Sequence, residues 1–159
     1  MFVGFLLEHM RRAGCRMDRE QVHCITCNEA MLGGLQEDGQ IVLCDNHLVG
    51  RPLISATLQH ELVHAFDACR AHVDWTNCLH HACTEIRAAA LSGDCSFHRE
   101  LARGNFHIGK QFQDCVRRRA VLSVEMNPNC SSSKARTQSL FEKTSTRSKG
   151  DGSYRPEKR

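Results

Sequence analysis

Ten cysteines in a chain of 159 residues restrict what it can become more than any other feature. They stand at positions 15, 24, 27, 44, 69, 78, 83, 95, 115 and 130, mostly singly. Cys24-x2-Cys27 followed by Cys44-x2-His47 has the spacing of a zinc ribbon. The other cysteines have no second pair of knuckles to join. An even number scattered through a small domain therefore points to a disulfide framework ahead of a ribbon, with buried free thiols as a third reading. Spacing alone leaves the connectivity open.

Length and hydrophobic content (41%) suit one globular domain with its own core. No apolar run approaches the ~20 residues needed to cross a bilayer. The apolar start at residues 1–7 is short for a signal-peptide core, has no basic residue ahead of it and no small-residue cleavage site, and Glu8 argues against a transit peptide. The net charge of +3 is unevenly spread. Eight of the 21 Lys/Arg and three of the 18 Asp/Glu lie after Cys130, leaving 13 and 15 before it. The body is thus mildly acidic and offers no electrostatic case for nucleic acid, whose affinity comes from clustered cations.

The pattern predicts two units: a folded domain over residues 1–130 and a disordered basic tail over 131–159, too poor in apolar side chains to offset its ordering entropy. A helix is expected over residues 2–12, with Phe2, Phe5, Leu6 and Met10 on one face. Residues 30–36 and 40–44 read as a hairpin around Glu37-Asp38-Gly39. Helices follow over about 53–71, opened by Pro52, then 77–91, 97–103 and 109–125. Strands followed by helices make an α+β fold. Trp75 reads as a core aromatic. Arg117-Arg118-Arg119 reads as a solvated helix face, with contact to anionic lipid as the sharper alternative.

The chemistry sits in His60-Glu61-Leu62-Val63-His64, an HExxH run inside the predicted helix. Residues four apart share a helical face, so both imidazoles can reach one Zn²⁺. Glu61 then lies beside the metal, where it can take a proton from water and deliver it to a leaving amine. The apolar flanks set this run apart from two chance surface histidines. A catalytic zinc takes a third protein ligand. Glu85, 21 residues past His64 on the next helix, is the first candidate, since small residues at 88–90 would let that helix approach the first. Its segment Glu85-Ile86-Arg87-Ala88 resembles the Glu-x-x-Ala of the gluzincin metallopeptidases. Asp67, His80 and His81 are the rivals. His98, His107 or Arg87 could stabilise an oxyanion, whereas Tyr154 sits in the tail. Strand 40–44 is the expected edge for an extended peptide to join.

A longer run carries a more specific likeness: His60 through Asp67, then Val73-Asp74-Trp75 and Asn77, then His80-His81-Ala82-Cys83-Thr84-Glu85-Ile86-Arg87-Ala88, and Leu91-Ser92-Gly93 with Cys95. Over about residues 6–131 the chain resembles the family of mitochondrial inner-membrane metalloproteases that process subunit 6 of the ATP synthase and help assemble its membrane sector. That resemblance implies a small zincin-like fold, zinc held by His60 and His64, and Glu61 as the catalytic residue. It also implies a protein substrate in the ATP synthase and peripheral attachment to the inner membrane on its intermembrane-space side. Import into that space is coupled to cysteine oxidation, in agreement with the disulfide reading. A second function follows from the same resemblance, a disulfide-stapled assembly chaperone that cleaves nothing. The chain departs from the family at both ends, and the departure after Cys130 predicts that this cysteine lacks a partner. A zinc-ribbon nucleic-acid module is the remaining reading, and it leaves the HExxH run unexplained.

Overall fold

The computed structural model describes residues 2–28, 31–106 and 109–130. The expected tail, 131–159, lies outside them. Among these residues, five helices and a three-stranded sheet make an α+β fold. Helix α1 (Phe2–Arg12) leads through a 3-10 turn at Arg19–Gln21 to strand β1 (Val22–Ile25). Strands β2 (Gly33–Leu35) and β3 (Ile41–Cys44) come next, then helices α2 (Arg51–Arg70), α3 (Cys78–Leu91), α4 (Phe97–Ala102) and α5 (Gln111–Met126).

The predicted hairpin is present. Strands β2 and β3 pair antiparallel, with Gly34 opposite Val42, and Gly39 takes a φ of 82° in the connecting turn. A side chain would be strained at that angle, so the Asp-Gly signal has a local cause. The sheet order is β1-β3-β2, with β1 parallel to β3. This corrects the expected role of strand 40–44. It is the central strand, with both flanks already hydrogen-bonded, so no peptide can be added to it. The edge that remains beside α2 is β2.

Ile41, Leu43, Leu62, Ala65 and Met10 form the largest core, with Val3, Leu6 and Leu7 of α1 packed against it. Phe5, expected on that face, is exposed. Pro52 opens α2 within its first turn, where a missing N–H costs nothing. The Asn77 side chain accepts from the Leu79 N–H and caps α3. Ala82, Ala120 and Val124 bring α3 against α5, and Ala89 with Ala90 packs with Cys95, Cys115 and Val116. The small residues at 89 and 90 therefore face this α5 layer.

Four disulfides join Cys15 to Cys69, Cys27 to Cys44, Cys78 to Cys130 and Cys95 to Cys115. Cys24 and Cys83 are free and exposed. The framework reading holds, and the ribbon is excluded because two of its four ligands are consumed by one bridge. Cys130, expected to lack a partner, is bonded to Cys78 because the end of α5 lies against the start of α3. The arginine run is solvated as expected at Arg117 and Arg118, which are exposed, but it is also paired. Arg118 donates to both carboxylate oxygens of buried Glu100 at 2.7 and 2.9 Å, and Arg119 pairs with Asp94 at 2.7 Å. Arg118 thus ties α5 to α4, and Arg119 ties α5 to the loop before α4.

Candidate metal centre

Helix α2 presents His60 and His64 from one face, their Nε2 atoms 3.0 Å apart. Glu85 reaches the same point from α3, with Oε2 3.4 Å from His60 Nε2 and Oε1 3.3 Å from His64 Nε2. The three ligand atoms lie within 4.8 Å of one another. Donors sharing a tetrahedral zinc at about 2.0–2.1 Å must be about 3.3–3.4 Å apart. The observed spacings, with His60 and His64 each facing a different Glu85 oxygen, are near that range and leave room for one ion among the three groups. Two imidazoles and a carboxylate are also the donor set that suits zinc.

The electrostatics follow from burying these groups together. Burial pushes the Glu85 carboxyl up, but His60, His64 and His81 around it win and hold it well below the usual range. Burial pushes His60 down, yet hydrogen bonding to Glu85 and the nearby Glu61 charge leave it raised. Glu61 goes the other way. It is buried, and burial raises its pKa despite His60, His64 and hydrogen bonding from the Leu35 backbone. A carboxyl that readily takes a proton therefore lies beside the donor triangle, as a proton carrier requires.

The rivals for the third position are accounted for by other partners. Asp67 receives the Arg87 Nε–H at 2.9 Å on both oxygens. That pair ties α2 to α3 and directs the Arg87 guanidinium to Asp67, away from the donor triangle. His80 Nδ1 accepts from the Asp74 backbone N–H at 3.2 Å and braces the loop before α3. His81 does reach the site, with Nε2 3.4 Å from Glu85 Oε1, but it stands outside the group of three whose donors converge. His98 is exposed on α4. His107 and Tyr154 lie outside the described residues.

The donors open into a cleft of about 350 Å³ walled by Gly33, Gly34 and Leu35 of β2 on one side and by Trp75 and His81 on the other. Trp75, expected in the core, instead stands edge-on to His64 and to His81, with ring centroids 5.7 and 5.9 Å away. A Cβ on Gly33 would come within 2.7 Å of the Val42 carbonyl oxygen and 3.0 Å of Thr57 on α2. Only glycine lets β2 lie this close to the active helix. The signal was in the sequence, since paired glycines within a strand mark a close approach.

The chain is 43% identical over 129 residues to the mitochondrial inner membrane protease ATP23 of Debaryomyces hansenii, covering 80% of this chain and 55% of that one. It is 45% identical over 126 residues to the mitochondrial inner membrane protease ATP23 homolog of Homo sapiens, covering 77% and 51%. The Schizosaccharomyces pombe protease of the same name is 41% identical over 129 residues, covering 80% and 70%. The chain thus spans about half the length of the first two of these relatives. No solved structure shows a significant match. The sequence pattern of the Peptidase M76 family matches residues 1–146, and with the identity to these relatives it establishes that the chain belongs to that family.

Proposed function

We propose that this chain is a zinc metalloendopeptidase in which His60, His64 and Glu85 hold the metal and Glu61 moves the proton. The convergence of the three donors at zinc-compatible spacing carries the reading. Zinc, when bound, would polarise the scissile carbonyl and lower the pKa of water to about 7. Glu61 takes the water proton as the nucleophile attacks and delivers it to the departing amine nitrogen. Its carboxylate lies beside the two histidines, within reach of a water held by the same metal. Strand β2 offers backbone groups along the cleft, so an extended substrate would lie beside Gly33–Leu35 and be held across the metal site by main-chain hydrogen bonds.

The relatives' names support a mitochondrial inner-membrane setting. No helix among the described residues is long and apolar enough to cross a membrane, which fits peripheral attachment. Four disulfides fit the oxidising intermembrane-space side. The substrate is a membrane subunit of the ATP synthase or its precursor. Residues 1–130 form the catalytic domain, with 131–159 as an appended tail.

Glu61→Gln keeps the side chain's shape and removes its proton chemistry. Peptide cleavage should be abolished while one zinc per chain is retained by mass spectrometry of the metal. Turnover surviving in that variant would remove the mechanism. Rescue of ATP-synthase assembly by the same variant, in cells lacking the wild type, would instead favour the chaperone function.

A further inference from the structure

The donor triangle and Glu61 leave one requirement of peptide hydrolysis unassigned: a group that meets the negative charge gathering on the scissile carbonyl oxygen. We propose that His81 is that group, donating from Nε2, and that Asn127 is the residue that positions it. The inference rests on the metallopeptidase reading above.

His81 lies one helical turn before Glu85 on α3, so both side chains leave the same face. Its ring is largely buried, its Nε2 is 3.4 Å from Glu85 Oε1, and it lines the cleft with His60, Glu61 and His64. Trp75 stands edge-on at 5.9 Å and limits the ring's movement.

Which nitrogen carries the proton is decided behind the ring. Asn127 follows the last turn of α5. Its Oδ1 accepts the Asn129 backbone N–H at 3.0 Å, and its Nδ2 donates to the Trp75 carbonyl at 2.9 Å. Those two backbone groups have fixed polarity, so the amide can face only one way. The second Nδ2 hydrogen points at His81 Nδ1, 3.0 Å away. An amide NH2 can only donate, so Nδ1 must be the accepting nitrogen and the neutral ring carries its hydrogen on Nε2. That is the nitrogen in the cleft. The same tautomer disqualifies His81 as a ligand, because a protonated nitrogen has no lone pair for a metal. At rest this N–H lies 3.4 Å from Glu85 Oε1 at the edge of the cleft; once Glu85 is turned to a metal, the same N–H is free to meet charge developing on a carbonyl oxygen beside it.

The test has three readouts. In the metal-free, disulfide-intact protein, nitrogen-15 NMR of the imidazoles should show His81 as the Nε2–H tautomer, and Asn127→Ala should turn it into a mixture. With zinc bound, and a decapeptide library as the probe, His81→Ala should lower kcat about 10²- to 10³-fold. KM and zinc affinity should stay within about threefold, since the contact forms only as charge develops. His81→Gln, which keeps an N–H donor, should recover part of that loss. A phosphinic peptide, which carries charge at the carbonyl position, should weaken in parallel with kcat, whereas the matching uncleaved peptide should not.

An Nδ1–H tautomer in the metal-free wild type overturns the proposal. So does full turnover in His81→Ala, which leaves the peptidase reading intact. Loss of zinc from His81→Ala replaces it with a ligand-holding role through Glu85. If zinc-loaded wild type cuts no library member, the peptidase reading fails and this role fails with it.

Discussion

The two halves of the molecule are held together by different means. Around α1, the sheet and α2, the core consists of full-sized apolar side chains: Met10, Ile41, Leu43 and Leu62. Around α3, α4 and α5, the buried clusters are mostly alanine, valine and cysteine. Asp94 is buried there with Arg99, Arg103 and Arg119 around it, and Glu100 is buried against Arg103 and Arg118. The first half can rely on apolar burial. Each half holds two of the four disulfides, but the second buries smaller apolar side chains and depends more on its paired charges. The candidate metal site straddles this boundary, with His60, Glu61 and His64 in the first half and Glu85 in the second. The proposed third ligand is therefore only as well placed as the second half is stable.

Removing the bridge with Cys78→Ser and Cys130→Ser together should have the largest effect. It opens a loop of 52 residues, a loss of about 4 kcal/mol on the chain-entropy account. Urea unfolding under non-reducing conditions would measure it, and zinc affinity should fall with it because α3 carries Glu85. On the other side of the boundary, Leu62→Ala should cost about 3 kcal/mol, since Leu62 is fully buried in the main core. If Leu62→Ala proves costlier than loss of the bridge, the contrast between the halves is wrong.

Asp94→Asn comes next, at about 2 kcal/mol, because it leaves arginines partly buried without their counter-charge and those arginines are themselves partly solvated. The acid side of the stability curve should sharpen this. Burial pushes Asp94 up, but Arg119 and Arg103 dominate and hold it below its ordinary value of 3.8. A carboxyl depressed on folding contributes its full stabilisation above its unfolded pKa and loses it as pH falls through the folded one. Asp94→Asn should therefore flatten the loss of stability below about pH 4, read from unfolding at a series of pH values. The smallest effects belong to Cys24→Ser and Cys83→Ser, each within about 0.5 kcal/mol, as both thiols are exposed and unbridged. A thiol titration of the native protein should find two free thiols, Cys83 reacting more slowly because burial raises its pKa.

Much of this was legible in the chain because it depends on local periodicity. HExxH on an uninterrupted apolar helix puts two imidazoles on one face whatever surrounds it, and the Asp-Gly turn and the Asn77 cap act within a few residues. Glu85 could be ranked first because a carboxylate one helix further on can reach the metal if the helices pack. Asp67 could be set aside only once Arg87 was seen to occupy it. The arginine run illustrates the opposite case, since whether an exposed cation also pairs depends on where distant acids fall, here Asp94 and Glu100 from the loop before α4 and from α4 itself.

By itself, then, the sequence determined the helices, the hairpin, the two-histidine face with its intervening glutamate, and the presence of a disulfide framework. All of these follow from short-range backbone preferences or from composition. Only the tertiary structure decided which cysteines pair, that β1 closes the far side of β3 and leaves β2 as the edge along the cleft, and that Trp75 faces the site. It also decided that Asn127, 46 residues from His81, sets which nitrogen of that ring holds the proton. Long-range contacts carry no periodic signature along the chain, because each is fixed by how whole elements pack and by which buried polar atoms must then find partners.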